Sequence, residues 1–232
     1  MYEYRRFFQL VHIAHSLLFI SSGEIKLFDS DKLRNKKRLL VPNASNPKFF
    51  KKTALPSKGE KNILCVSGYA PMRGIDILAD AFDLIRKKHK DTFLRLVGYN
   101  MPFHLNREGV IIERNKFYKD MPKIYSEAYV CVIPHRKNPY MDMALPIKLF
   151  DAMAASRPVI VTRCSEMAQL VEKEKCGVIA DDSADSLCHS IEYLLLNHAI
   201  AEEMGIRGLE AVEKRHSWVY RAKIIKQYLK ES

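Results

Sequence analysis

From residue 63 onward, short apolar runs alternate with amphipathic stretches. The runs occupy residues 63–67, 93–97, 110–113, 129–134, 158–162 and 178–180. They are rich in Val, Ile and Leu and show no clean two-residue alternation, which is how strands covered on both faces read. The stretches between them carry apolar residues at helical spacing. Ile75, Leu78, Phe82 and Ile85 mark a helix over 75–89, which ends on the basic run Arg86-Lys87-Lys88. Leu187, Ile191, Leu194 and Leu195 mark another over 183–197, with Ser183 as its cap. Further helices are predicted over 119–127, 147–155, 166–174, 199–215 and 218–230. Six strands alternating with helices predict an α/β fold with a doubly wound parallel sheet, whose ligand crevice lies outside the carboxyl ends of the strands.

The first quarter reads differently. Two short strands, over 17–21 and 38–41, flank a helical stretch over 23–33. A Pro- and Asn-rich loop follows at 42–47 and a polar, Lys-rich linker at 51–61. The expected division is therefore a stub over 1–62 and an α/β domain over 63–232. Residues 7–20 form an apolar stretch after Arg5 and Arg6, but Gln9, His12, His15 and Ser16 interrupt it, which argues against a secretory leader.

Charge sharpens this division. The 232-residue chain has 38 Lys and Arg against 27 Asp and Glu, a formal net charge of +11. Residues 1–62 hold 13 basic and 5 acidic residues, so most of the excess sits there. A basic face suits phosphate-bearing ligands or an anionic membrane surface, or is simply solvated. The basic stretch over 26–61 lacks the interleaved stacking aromatics of a nucleic-acid site apart from Phe28, Phe49 and Phe50, so no nucleic-acid partner is expected. The five cysteines are odd in number and form no Cys-x-x-Cys pair. That excludes a disulfide framework and fits a reducing cytoplasm.

Two constellations carry candidate chemistry. The first is Ser67-Gly68-Tyr69-Ala70-Pro71-Met72-Arg73-Gly74, between a strand and a helix. A glycine at a strand end lets the backbone approach a ligand, the helix behind it offers free N–H groups, and Arg73 adds a forked cation for phosphate oxygens. It is neither a GxGxxG fingerprint nor a Walker loop. The second is the run from Leu145 to Thr162. Pro146 suits a first helical turn, and Lys148 and Asp151 lie three apart on it. A helix start beside a cation can hold a diphosphate, and a carboxylate one turn on can accept hydrogen bonds from ribose hydroxyls. An ordinary Lys148–Asp151 ion pair is the plain alternative.

These stretches resemble the nucleotide-sugar-binding half of family-4 retaining glycosyltransferases, which have the GT-B fold with a Rossmann-like C-terminal domain. Pro42-Asn43 with Phe49 or Phe50 resembles the segment that opens this half. Gly68…Arg73-Gly74 resembles the family's Gly-Arg…Lys-Gly loop, and Leu96-Val97-Gly98 its second strand and glycine. Residues 129–134 resemble its "Ala-Asp-…-Pro" strand. The run Phe150-Asp151-Ala152-Met153-Ala154-Ala155-Ser156-Arg157-Pro158-Val159-Ile160-Val161-Thr162 resembles Glu-Ala-Met-Ala-x-Gly-x-Pro-Val-Ile-x-Thr. The ordered set spans about residues 17–232.

The resemblance implies a glycosyltransferase that moves a sugar, with retention, from a UDP- or GDP-linked donor to a glycan or lipid-linked acceptor, without a metal. It implies diphosphate contacts from Gly68, Arg73, Pro146, Ile147 and Lys148 and a ribose contact from Asp151. It places the donor sugar against Asp142, Met143, Ala144 and Leu145, and the base near Gly98, Tyr99 and Arg114. It implies a cytoplasmic protein, at home on the inner face of a membrane. Three departures stand out. Tyr69 replaces a diphosphate arginine, whose charge Lys148 is expected to supply. Met143 stands where the first glutamate of a Glu-x7-Glu pair belongs, with Asp142 the neighbouring stand-in. Only about 60 residues precede the C-terminal domain, so the chain reads as a donor-binding half with a remnant of an N-terminal acceptor domain. The alternative is therefore a donor-binding half that is inactive until it meets a partner chain.

Overall fold

A computed structural model describes residues 11, 13–27, 36–56, 59 and 61–231. The expected leader-like stretch over 7–20, the helix over 23–33 and the linker over 51–61 each fall partly outside these residues. Among the described residues, β1 (Ser16–Phe19), α1 (Ser22–Leu27) and β2 (Lys37–Leu40) precede the main sheet, and β1 and β2 pair in parallel as a small sheet of their own. A single turn, α2 (Pro47–Phe50), follows, capped by the Asn46 side chain.

The main sheet then forms in sequence. Its elements are β3 (Lys61–Val66), α3 (Ile75–Lys88), β4 (Thr92–Val97), β5 (Val110–Glu113), α4 (Met121–Ser126), β6 (Ala128–Ile133), α5 (Pro139–Asp142), α6 (Ile147–Ala154), β7 (Val159–Thr162), α7 (Ser165–Glu174), β8 (Gly177–Ala180), α8 (Ala184–Leu196), α9 (His198–Arg215) and α10 (Trp218–Glu231). Six strands pair in parallel in the order β5-β4-β3-β6-β7-β8. This is the doubly wound arrangement predicted from the apolar runs. The order reverses between β3 and β6, and their carboxyl ends open the crevice there.

Packing explains the apolar runs. All six residues of β6 and all four of β7 are buried, because helices cover both faces of the central strands. One core layer joins α3 and α8 to the sheet through Leu78, Phe82, Ile191 and Leu194. The other joins α4, α6 and α7 through Ile124, Leu149, Phe150 and Met167, with Phe50 of α2 closing its end. The five cysteines are free and buried among the described residues, where they pack as small hydrophobes.

One helix end is worth its detail. After α6 the Ser156 N–H donates to the Met153 carbonyl and the Arg157 N–H to the Ala152 carbonyl, each at 3.0 Å. This is the double bond pattern that closes a helix with a left-handed residue. That residue is Ser156, with φ 58, at the position where the resembled motif has glycine. A side chain in that region costs about 1–2 kcal/mol, partly offset by the freedom glycine gains in the unfolded chain. Ser156→Gly is therefore expected to stabilise the protein by about 1 kcal/mol, which raises the thermal midpoint by about 2–4 °C for a domain of this size. Thermal unfolding of the variant reads this directly, and an unchanged or lower midpoint would contradict it.

The N-terminal segment is tied to the main fold by polar contacts. Glu166 of α7 accepts from the Ser22 hydroxyl and, at 2.8 Å, from the Gly23 N–H. Arg221 of α10 is buried and donates to the carbonyls of Pro42 at 2.8 Å and Arg215 at 2.7 Å. Buried Arg157 donates to the Ala54 carbonyl at 3.0 Å. These arginines hold the segments over 42–43 and 53–54 against the main fold, because a buried guanidinium must find acceptors for its N–H groups.

Candidate active site

The crevice between the ends of β3 and β6 is built by four pieces of chain. Ser67-Gly68 leaves β3 and runs into a 3-10 turn, Pro71–Arg73. Gly74 follows in the left-handed region with φ 65, and a Cβ there would collide with the Pro134 carbonyl oxygen. Only glycine lets the Arg73 turn sit this close to the end of β6. Pro134-His135 leaves β6 on the other side, and Arg136 N–H donates to the Met72 carbonyl at 3.0 Å, joining the two loops. Pro146 opens α6 as its N-cap and lines the crevice, and no side chain caps this helix start.

Two clefts result. One, of about 200 Å³, is lined by Arg73, His135, Met141, Met143, Ala144, Leu145 and Pro146, with Ile20, Glu24, Asn43 and Tyr140 completing its rim. The other, of about 320 Å³, is lined by Val66, Ser67, Gly68, Val97, Gly98, Tyr99, Asn115, Lys116 and Met121. The Tyr99 ring lies across Gly68, where a Cβ would strike it.

Lys148 meets the wall of the second cleft at Ser67. It follows Pro146 by two residues, and its ammonium turns inward to donate to the Ser67 hydroxyl at 2.9 Å. Burial, helped by the neighbouring Arg73 charge, pushes its pKa down to about 8. His135 shares this field. Burial first, then the Lys148 and Arg73 charges, push its pKa down to about 3, so the ring is neutral at physiological pH. The plain alternative, a Lys148–Asp151 ion pair, does not form, since Lys148 bonds Ser67 and Asp151 bonds Ser45 and Tyr118.

Asp151 is buried one turn into α6. Its Oδ1 accepts from the Ser45 hydroxyl at 2.5 Å and from the Tyr118 hydroxyl at 3.3 Å. Phe49 holds Tyr118 in place by stacking on its ring at 5.2 Å. Burial raises the Asp151 pKa to about 6 against these two hydrogen bonds, which pull it down. Tyr118 is 52% exposed and forms the outer cover of the carboxylate.

Two expected site residues are placed elsewhere. Asp142 does not face the sugar side: its Oδ1 accepts from the Ser165 N–H at 3.0 Å and the Ser165 hydroxyl at 3.1 Å. The free amides at the start of α7 attract the carboxylate, so it caps that helix. Arg114, expected near the base, donates to the Met101 carbonyl at 3.2 Å and is not among the residues lining the second cleft; Asn115 and Lys116 are. Met143 does line the first cleft and packs against Gly23. Ile147 is 42% exposed and lines neither cleft. Tyr69, in place of a diphosphate arginine, donates its hydroxyl to Asp76 at 3.0 Å. His135 was not singled out by sequence. The signal for it was present: it is the first residue after the proline that ends the buried strand β6, on the carboxyl side where the crevice opens.

Comparison with known proteins adds the family. A family model described as "Glycosyl transferases group 1" matches residues 60–197. An uncharacterized glycosyltransferase of Methanocaldococcus jannaschii is 24% identical over 225 residues, covering 92% of this chain and 59% of that protein. A GDP-mannose-dependent alpha-(1-6)-phosphatidylinositol monomannoside mannosyltransferase of Mycobacterium tuberculosis is 27% identical over 173 residues, covering 69% of this chain and 45% of that protein. The chain thus spans about half the length of these curated relatives. Among solved structures, sucrose-phosphate synthase from Thermosynechococcus elongatus superposes with a TM-score of 0.80 at 22% identity, covering 96% of this chain and 59% of that one. That likeness establishes the α/β fold of a GT-B glycosyltransferase domain.

Proposed function

The chain belongs to the group 1 glycosyl transferases, and from that premise we propose that its β3–β6 crevice binds the nucleotide diphosphate of a sugar donor. The observation that carries this reading is the convergence of Arg73, Lys148 and the uncapped start of α6 on one crevice. A diphosphate there meets two cations and a helix N-terminus, the combination that binds phosphate in many folds. The same groups stabilise negative charge on the diphosphate as it leaves, which is where catalysis of glycosyl transfer gains most. The base rests against Gly98 and Tyr99. A ribose hydroxyl reaches Asp151 by displacing the exposed Tyr118 hydroxyl. The sugar lies against Met143, Ala144 and Leu145, and goes with retention to a glycan or lipid-linked acceptor. The basic first quarter favours work at the cytosolic face of a membrane.

Calorimetric titration of the purified chain with UDP, GDP and ADP tests the reading. One nucleotide is expected to bind with a Kd in the micromolar to millimolar range. Arg73→Ala is expected to weaken it about tenfold, the loss of one charge-assisted hydrogen bond. A folded chain that binds none of the three would sink donor binding by this chain.

A further inference from the structure

His135 is 1% exposed and lines the sugar-side cleft, and neither ring nitrogen has a hydrogen-bond partner. Leaving a buried polar atom unpaired costs about 1–3 kcal/mol, and here two such atoms sit on one ring. Its backbone is nonetheless firmly held. The His135 carbonyl accepts from the Thr162 hydroxyl and, at 3.7 Å, from the Cys164 thiol, both at the end of β7. Arg136 is bonded to the Arg73 turn on the other side. The backbone that carries the ring is thus held in place, and the buried ring lines the cleft with its hydrogen-bonding capacity unused.

The chemistry of the ring selects its ligand. A neutral imidazole offers one N–H donor and one bare nitrogen acceptor. A diphosphate at neutral pH only accepts, and Arg73 and Lys148 already answer it with cations. A sugar hydroxyl both donates and accepts, so it can pair with whichever ring nitrogen faces the cleft, protonated or bare. The same cleft wall carries the thioethers of Met141 and Met143, while the Asp142 carboxylate is committed to Ser165. The Glu24 carboxylate at the rim accepts from the Ile20 N–H at 3.0 Å.

We propose that His135 recognises the donor's sugar through a hydrogen bond between one ring nitrogen and a sugar hydroxyl, and so sets specificity for the glycosyl group rather than for the nucleotide. This rests on the donor-binding reading above. His135 acts on binding and positioning of the sugar and takes no proton from it.

The test compares matched ligands by calorimetry: UDP with UDP-glucose and UDP-N-acetylglucosamine, and GDP with GDP-mannose. In the wild type, one nucleotide sugar is expected to bind at least tenfold tighter than its bare nucleotide. His135→Leu is expected to lose that advantage while binding the bare nucleotide within about twofold of wild type. His135→Gln, whose amide also donates and accepts, is expected to recover most of it. As a second readout, the His135 ring nitrogen resonances in a 15N-labelled sample should shift with the nucleotide sugar and stay in place with the nucleotide. If His135→Leu weakens both ligands equally, or neither, or if the ring resonances shift equally with both, the proposal is overturned while donor binding stands. If the wild type binds no nucleotide at all, the donor-binding reading itself has failed, and this proposal with it.

Discussion

Lys148→Met is expected to weaken nucleoside diphosphate binding by about 10–100-fold at pH 7 and to make the unliganded protein more stable. The first effect follows from removing a charged donor bonded to the crevice wall at Ser67, since hydrogen bonds to charged groups contribute about 1.5–3 kcal/mol. The second follows from linkage. Burial lowers the folded pKa of Lys148 to about 8, against about 10.4 for an ordinary lysine. The folded protein therefore holds fewer protons than the unfolded chain between those two values, and wild-type stability rises as pH climbs through that window. Below it, keeping the ammonium buried costs on the order of 2–3 kcal/mol. Methionine escapes this cost but loses the bond to Ser67, about 1 kcal/mol. The net expectation is a gain of about 1–2 kcal/mol at pH 7 that shrinks as pH rises past ~8 and becomes a loss of about 1 kcal/mol above pH ~10.5. Wild-type affinity for the nucleotide should also decline above pH ~8, where the free protein gives up the charge. Denaturant unfolding at both pH values, with titrations at pH 7 and 9.5, measures all three. Undiminished binding by the variant would remove Lys148 from the site.

Asp151→Asn carries the second large effect, again with opposite signs for stability and binding. The folded pKa of Asp151 is raised to about 6, from about 3.9 in an unfolded chain. The folded protein thus holds more protons than the unfolded chain between pH ~4 and ~6, and stability falls as pH rises through that interval. At pH 7.5 the buried carboxylate destabilises the fold by about 2 kcal/mol. Asparagine keeps an oxygen for the Ser45 and Tyr118 hydroxyls and carries no charge, so the variant should be more stable by about 2 kcal/mol at pH 7.5 and equal to wild type at pH 4. If Asp151 binds the ribose, the same variant should hold its nucleotide about tenfold more weakly, because a neutral amide is a poorer acceptor than a carboxylate. Equal stability of the two proteins at both pH values would mean that the carboxylate is not strained by burial. Equal nucleotide affinity would take the ribose contact away from it.

These paired expectations share a cause. The crevice holds a lysine and an aspartate in places where water solvates them poorly, and folding alone gains nothing from ionising either one. A ligand that supplies the opposite charge or a hydrogen-bond donor recovers that cost. This is the physical content of calling the crevice a binding site, and it explains why stability and binding pull in opposite directions at both residues.

Much of the architecture was written in the chain itself. Strands buried on both faces must be continuously apolar, so 129–134 and 158–162 announced β6 and β7 to within a residue or two, and Ser183 announced the start of α8. The glycine of the Arg73 loop and the run into Pro158 located the crevice, because such backbone geometries restrict residue type locally. Boundaries drifted where a proline set the register: the helix expected over 119–127 begins as the 3-10 turn Tyr118–Asp120 and becomes α4 only at Met121. What only the tertiary structure decided was the target of each long polar side chain. Asp142 reads equally well as a sugar ligand or a helix cap, until α7 brings its N-terminus to it. Arg114 was one residue from the cleft-lining pair Asn115 and Lys116, yet a side chain on a loop goes where its nearest acceptor lies. Ser45 and Tyr118 reach Asp151 from 106 and 33 residues away, and His135 is notable for bonds it does not make. Backbone conformation and burial depend on residue type and near neighbours, so sequence carries them. Hydrogen-bond partners and shifted proton affinities depend on which distant segments meet, and only the folded chain fixes that.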